Sequence, residues 1–119
     1  MLNSGILRLL SLIIMRELFH NCNALETVDL SNFNTKNIQD MESVFAGCQK
    51  LKNISLWNTK TESLKFMKFL FQGCSSLTSI DLSTFETSKV EDFSFVFNGC
   101  SSLTSADLSL FDASNVKYM

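Results

Sequence analysis

Phe71-Gln72-Gly73-Cys74-Ser75-Ser76-Leu77-Thr78-Ser79-Ile80-Asp81-Leu82-Ser83 is the stretch that decides the fold, because the chain says it again. Twenty-six residues later it reads Phe97-Asn98-Gly99-Cys100-Ser101-Ser102-Leu103-Thr104-Ser105-Ala106-Asp107-Leu108-Ser109. Twenty-six residues earlier stand Phe45-Ala46-Gly47-Cys48-Gln49-Lys50-Leu51, then Ile54 and Leu56. One period further back come Phe19-His20-Asn21-Cys22, then Leu25, Val28, Asp29, Leu30 and Ser31. All four cysteines fall at one phase of this period. A fixed repeat of this length marks stacked units, each too small to bury its own apolar face.

Every period divides in two. The first half follows Leu-x-x-Leu-x-Leu-x-x-Phe, as in Leu25, Val28, Leu30, Phe33 and again in Leu77, Ile80, Leu82, Phe85. Its middle alternates apolar and polar residues (Val28-Asp29-Leu30-Ser31), which predicts a short strand buried on one face. The second half has apolar residues at i, i+3, i+6 and i+7: Ile38/Met41/Val44/Phe45, Leu64/Met67/Leu70/Phe71 and Val90/Phe93/Val96/Phe97. That spacing predicts one stripe of a short helix. Ser88-Lys89-Val90-Glu91 has the spacing of a capping box for its start. Gly47, Gly73 and Gly99, with Asn21 in the first copy, stand where a left-handed residue ends a helix. The expected fold class is α/β, a leucine-rich-repeat solenoid of about four 26-residue strand-plus-short-helix repeats.

Residues 1–18 contain Arg8 and an apolar run, Leu9–Met15, in the manner of a signal peptide. The run is short, Arg16 and Glu17 close it, and no small-residue cleavage site follows. The repeat register accounts for it better, since Leu12, Met15, Leu18 and Phe19 precede Ile38, Met41, Val44 and Phe45 by 26 residues. The expected organisation is one repeat domain over 1–119: a partial repeat at 11–22, full repeats at 23–48, 49–74 and 75–100, and a partial one at 101–119. Neither end carries a polar cap, so end-to-end self-association or further repeats are expected. The second copy departs from the pattern. In strict register Thr59 replaces the phenylalanine, yet Trp57-Asn58-Thr59-Lys60 copies Phe33-Asn34-Thr35-Lys36. A two-residue deletion and a compensating insertion would seat Trp57 in the phenylalanine socket; the alternative is an exposed tryptophan acting as a binding anchor.

A net charge of −2 with 18% charged residues gives no basic field for nucleic acid or anionic membrane. Eleven phenylalanines against one tyrosine and one tryptophan mark the aromatics as interior filler. The cysteines read as unpaired, buried ladder residues, because each has the same environment and none a designated partner. No Cys-x-x-Cys motif suggests a metal, and the single His20 sits in a turn phase held elsewhere by Ala46, Gln72 and Asn98. No nucleophile–base pair and no phosphate-cradling loop stands out. No cofactor, catalytic residue or metal ligand is therefore assigned.

The wording Phe-x-Gly-Cys-Ser-Ser-Leu-Thr-Ser-x-Asp-Leu-Ser-x-Phe-x-Thr-Ser-x-Val is narrower than the general template. It resembles the 26-residue repeat of BspA-like leucine-rich repeat surface proteins, over about residues 11–119. The resemblance implies a right-handed solenoid, a cell-surface or extracellular location, and a role in adhesion or protein binding without catalysis. It implies as partner a protein or other surface macromolecule, with neither nucleic-acid binding nor membrane insertion. A purely structural spacer, or a fragment of a longer repeat protein, is the competing expectation.

Two surfaces are candidates. Thr27, Asp29, Ser31, Ser79, Asp81, Ser83, Ser105, Asp107 and Ser109 occupy the outward phase of the strands, where short polar side chains leave a flat accessible face. Stacked carboxylates at one phase repel unless hydroxyls, water or a cation relieve them. Phe69 and Phe95 share a phase held by Ser43 in the previous copy, and point away from the predicted helical stripe, with Phe66 at its edge. They form the alternative, an apolar outer-face patch.

Overall fold

The computed structural model describes residues 15–31, 33–56 and 59–119. Its backbone hydrogen bonds follow the sequence period. Met41, Ser43, Phe45 and Gly47 donate to the carbonyls of Phe66, Lys68, Leu70 and Gln72 in the next copy. The intervening Val44, Ala46 and Cys48 turn back three residues, to Met41, Ser43 and Phe45. Donors thus alternate between the next copy and the local turn, and these buried N–H groups find partners without a helix. The same alternation recurs in the following copy, where Met67, Phe69, Phe71 and Gly73 reach Asp92, Ser94, Val96 and Asn98.

This pattern overturns the expected α/β solenoid of strand-plus-helix repeats. Among the described residues there is no helix. Regular structure amounts to four three-residue strands: β1 (Thr27–Asp29), β2 (Asn53–Ser55), β3 (Ser79–Asp81) and β4 (Ser105–Asp107). They form two separate parallel pairs, β1–β2 and β3–β4, rather than one continuous sheet backed by helices. The helical stripe fails for a local reason. Ser43, Phe69 and Phe95, in the middle of the predicted helices, have φ of 60°, 61° and 58°. A left-handed residue cannot continue a right-handed helix, but it suits the third place of a tight turn. Apolar residues at i, i+3, i+6 and i+7 still point inward, because successive turns return the chain to the core as a helix would. The capping-box reading of Ser88–Glu91 falls with the helix.

Part of the local chemistry was read correctly. Gly47, Gly73 and Gly99 do have positive φ, between 74° and 78°, and Asn21 matches them at 59°. They end turns rather than helices. A Cβ built on Gly47 would collide with the Asn21 side chain, whereas at Gly73 and Gly99 it would meet the neighbouring glycine at ordinary contact distance, so the left-handed backbone is the constraint common to all three.

The core consists of columns of like residues. Phe19, Phe45, Phe71 and Phe97 stack with ring centroids 5.6, 5.7 and 6.0 Å apart, and their planes lie within 8° of parallel. Beside them run Met41 and Met67, Leu30, Leu56 and Leu82, and Ile38, Leu64 and Val90, all buried. Met15, Phe19 and Asn21 already bond to Asp40, Val44 and Ala46, so the chain follows the repeat register from Met15 onward. Leu12 lies outside the described residues.

A buried threonine column was not anticipated. Thr61 Oγ1 donates to Glu86 O at 3.0 Å and accepts from Glu86 N at 2.8 Å. Thr35 holds Lys60 in the same way, at 2.5 and 3.0 Å, and Thr87 holds Asp112. Each hydroxyl therefore clamps both polar groups of a residue in the next copy. Thr61, not Thr59, is the equivalent of Thr35, which removes the proposed deletion and insertion. Thr59 N donates to Leu56 O as Phe33, Phe85 and Phe111 donate to Leu30, Leu82 and Leu108. Thr59 thus holds the phenylalanine position in strict register; Trp57 lies outside the described residues.

Thr59 is buried and its hydroxyl has no partner among the described residues, while Thr61 uses its hydroxyl twice. Valine replaces threonine at nearly equal volume, so the two sites separate hydrogen bonding from packing. Thr59→Val should raise stability by about 1 kcal/mol and Thr61→Val should lower it by about 1–3 kcal/mol in urea unfolding.

Candidate binding surface

The outward strand residues lie where the period put them, but the array is broken. In β3 and β4, Ser79 pairs with Ser105 and Asp81 with Asp107, all four exposed. In β1, Thr27 and Asp29 pair instead with Asn53 and Ser55, which the sequence reading left out. Ser31, Ser83 and Ser109 lie beyond the strand ends, in turns, and Ser31 and Ser83 are half-buried. Of the nine predicted residues, two lie in the β1–β2 pair, four in the β3–β4 pair and three in the turns that follow the strands.

Each carboxylate is held by the serine two residues on. Asp81 Oδ1 accepts from Ser83 N at 2.8 Å. Asp29 Oδ1 accepts from Ser31 N at 2.8 Å and Ser31 Oγ at 2.5 Å. Asp107 takes the amide of Ser109 at 3.0 Å and also its hydroxyl. The Ser31 hydroxyl and amide hold Asp29 below the usual carboxylate range, and Ser83 does the same for Asp81, because hydrogen bonds to a carboxylate favour its charged form. Asp112 is lowered likewise by the Ser114 amide and hydroxyl. Asp29, Asp81 and Asp112 thus share an Asp-x-Ser turn whose bonds favour the ionised carboxylate.

On the turn side, Phe69 and Phe95 stack at 5.4 Å with Phe95 57% exposed, and Lys68 Nζ lies 4.9 Å from the Phe69 ring centre. Their outward direction comes from the left-handed backbone, not from helical geometry. Phe66 stands apart from this stack, in a bridge column with Asp40, Asp92 and Tyr118. An aromatic residue with positive φ is uncommon and costs conformational energy, so two of them one period apart, Phe69 half-buried and Phe95 exposed, form a second distinctive feature.

The thiols face inward. All four are free; Cys48 and Cys74 are buried and Cys22 and Cys100 half-buried. Cys48, Cys74 and Cys100 donate through sulfur to the carbonyls of Phe19, Phe45 and Phe71 at 3.1–3.2 Å. Burial pushes Cys48 up to about 11 and Cys74 up to about 12, and raises Cys100. Among the described residues no group of three or more His, Cys, Asp or Glu could hold a metal ion, and no helix is long and apolar enough to cross a membrane.

A family described as "Mycoplasma protein of unknown function, DUF285" matches residues 13–119. The chain belongs to this family. No curated protein and no solved structure matches it. The DUF285 match spans all four cysteines, all four strands and both candidate surfaces.

The thiols give a pH signature. A buried thiol whose pKa is raised on folding keeps its stabilising effect below the ordinary value near 9 and loses it as pH climbs through the folded value. Stability should hold up to about pH 9 and then fall toward pH 12, less steeply in Cys74→Val. In the native protein, a thiol reagent should modify Cys22 and Cys100 before Cys48 and Cys74.

Proposed function

We propose that this DUF285 chain is a non-catalytic binding scaffold at the cell surface, meeting a protein or other surface macromolecule on its strand face. The observation that carries this reading is the in-register pair of Asp81 and Asp107, exposed, flanked by Ser79 and Ser105 and fixed by Ser83 and Ser109. Adjacent like charges oppose folding, so stability does not explain their place. Short side chains around them leave the face open to a broad partner rather than a small molecule in a closed pocket. The likeness of the repeat wording to that of BspA-like surface proteins supports the surface location and an adhesive role. Contacts of this kind are weak singly and gain strength when several copies engage together.

The test uses the intact chain immobilised and exposed to a host extracellular-matrix preparation. Replacing Asp81 and Asp107 together by Lys should lower capture by about tenfold or more. The same change removes the turn bonds from Ser83 and Ser109 and should cost about 1–2 kcal/mol, so capture is compared at a temperature where both proteins are folded by far-UV CD. Capture that survives this reversal but fails with Phe69→Ser and Phe95→Ser would move the working surface to the Phe66, Phe69 and Phe95 side. Capture by neither surface would favour a structural spacer.

A further inference from the structure

The strands separate at one junction, and only on one side. β2 and β3 are not hydrogen-bonded to each other. On the turn side the same two copies remain joined by bonds from Met67, Phe69, Phe71 and Gly73 to Asp92, Ser94, Val96 and Asn98. The Thr61 clamp on Glu86 also holds across this junction. On the strand side the Thr84 hydroxyl donates to Leu56 O at 3.1 Å. There a cleft of about 310 Å³ opens between Asn53–Leu56 and Asp81–Thr84. Its position coincides with the one copy that has Thr59 where the others carry Phe33, Phe85 and Phe111, and Thr59 N donates to Leu56 O beside it.

The lining specifies the occupant. Asn53, Ser55, Ser83 and Thr84 bring side-chain oxygens, Ile54 an apolar wall, and Asp81 a carboxylate; among the described residues no lysine or arginine lines the cleft. Asp81 Oδ1 is held by the Ser83 amide, and Oδ2 has no protein donor among the described residues. A guanidinium on a hydrocarbon stem matches this set: the stem lies along Ile54, one N–H pair meets the carboxylate, and the remaining donors meet hydroxyls. An ammonium offers a point charge without the planar fork. We propose that the β2–β3 cleft is the subsite in which the partner seats an arginine side chain. This rests on the reading of the strand face as the binding surface, and adds the chemistry of what that surface recognises.

The test is an NMR titration of the whole 15N-labelled chain with Nα-acetyl-arginine methylamide, against the norleucine and lysine analogues. Saturable shifts confined to amides of residues 53–56 and 81–84 are expected for the arginine compound, with about tenfold weaker binding of the norleucine one. Asp81→Asn keeps the oxygen that accepts from Ser83 N and removes the charge, so it should weaken binding about tenfold. Asp112→Asn makes the same charge change in a matching turn away from the cleft, and should leave binding unchanged. Shifts spread over all exposed carboxylates, insensitivity to Asp81→Asn, or equal binding of the lysine compound would overturn the proposal. Should the arginine compound fail while the Asp81/Asp107 reversal still abolishes matrix capture, the subsite falls and the strand-face reading stands. Saturable arginine binding alongside capture that survives the reversal would show a site the partner does not use, and would overturn both the subsite and the strand-face reading.

Discussion

The structure depends on one constraint, that backbone donors must be shared between a tight turn and the equivalent place in the next copy. Val44 N returns to Met41 O, while Phe45 N crosses to Leu70 O. Unpaired buried N–H groups are costly, so a copy cannot slip by one residue without breaking this alternation. The register between copies is held by this alternation, and the tight turns bring the left-handed backbone at Ser43, Phe69 and Phe95 and at the glycines four residues on. Once the register is fixed, each side chain meets its own counterpart above and below.

Stacking like on like suits some chemistries and not others. Phenylalanine rings stack without penalty, buried thiols find carbonyls, and threonines clamp the neighbouring backbone. Carboxylates gain nothing from each other. Where they occur at a repeated strand phase they are tied to the following serine, and in the second copy Ser55 replaces them. Fold and candidate site thus share a cause: the register that builds the core also brings Asp81 beside Asp107 on the outside. One departure in the core, Thr59 for phenylalanine, falls in the copy whose strand β2 is not hydrogen-bonded to β3.

The period, the inward residues and the positive-φ glycines were legible in the sequence, because each is a direct consequence of repeated packing. Helices were not, since a step of three residues between apolar positions fits a succession of turns as well as a helical stripe. Nothing in the residue type announces a left-handed Phe69 or Phe95, as phenylalanine is ill suited to that backbone. The threonine clamp escaped notice because threonine in a polar run reads as loop, and its burial appears only when the next copy covers it. The β2–β3 cleft was partly legible: Thr59 stood out of pattern, but matching Thr59-Lys60 to Thr35-Lys36 explained it away. Asn53 and Ser55 were missed because the candidate face was drawn from the copies that agreed with one another.

Through-hydrogen-bond scalar couplings test the central claim most directly, since they link a donor nitrogen to the carbonyl carbon that receives its proton. In the 15N/13C-labelled chain, Phe45 N should correlate with Leu70 C′ and Gly47 N with Gln72 C′, while Val44 N correlates with Met41 C′. Correlation of Phe45 N with Met41 C′, the bond a helix requires, would contradict the alternating register on which the account rests.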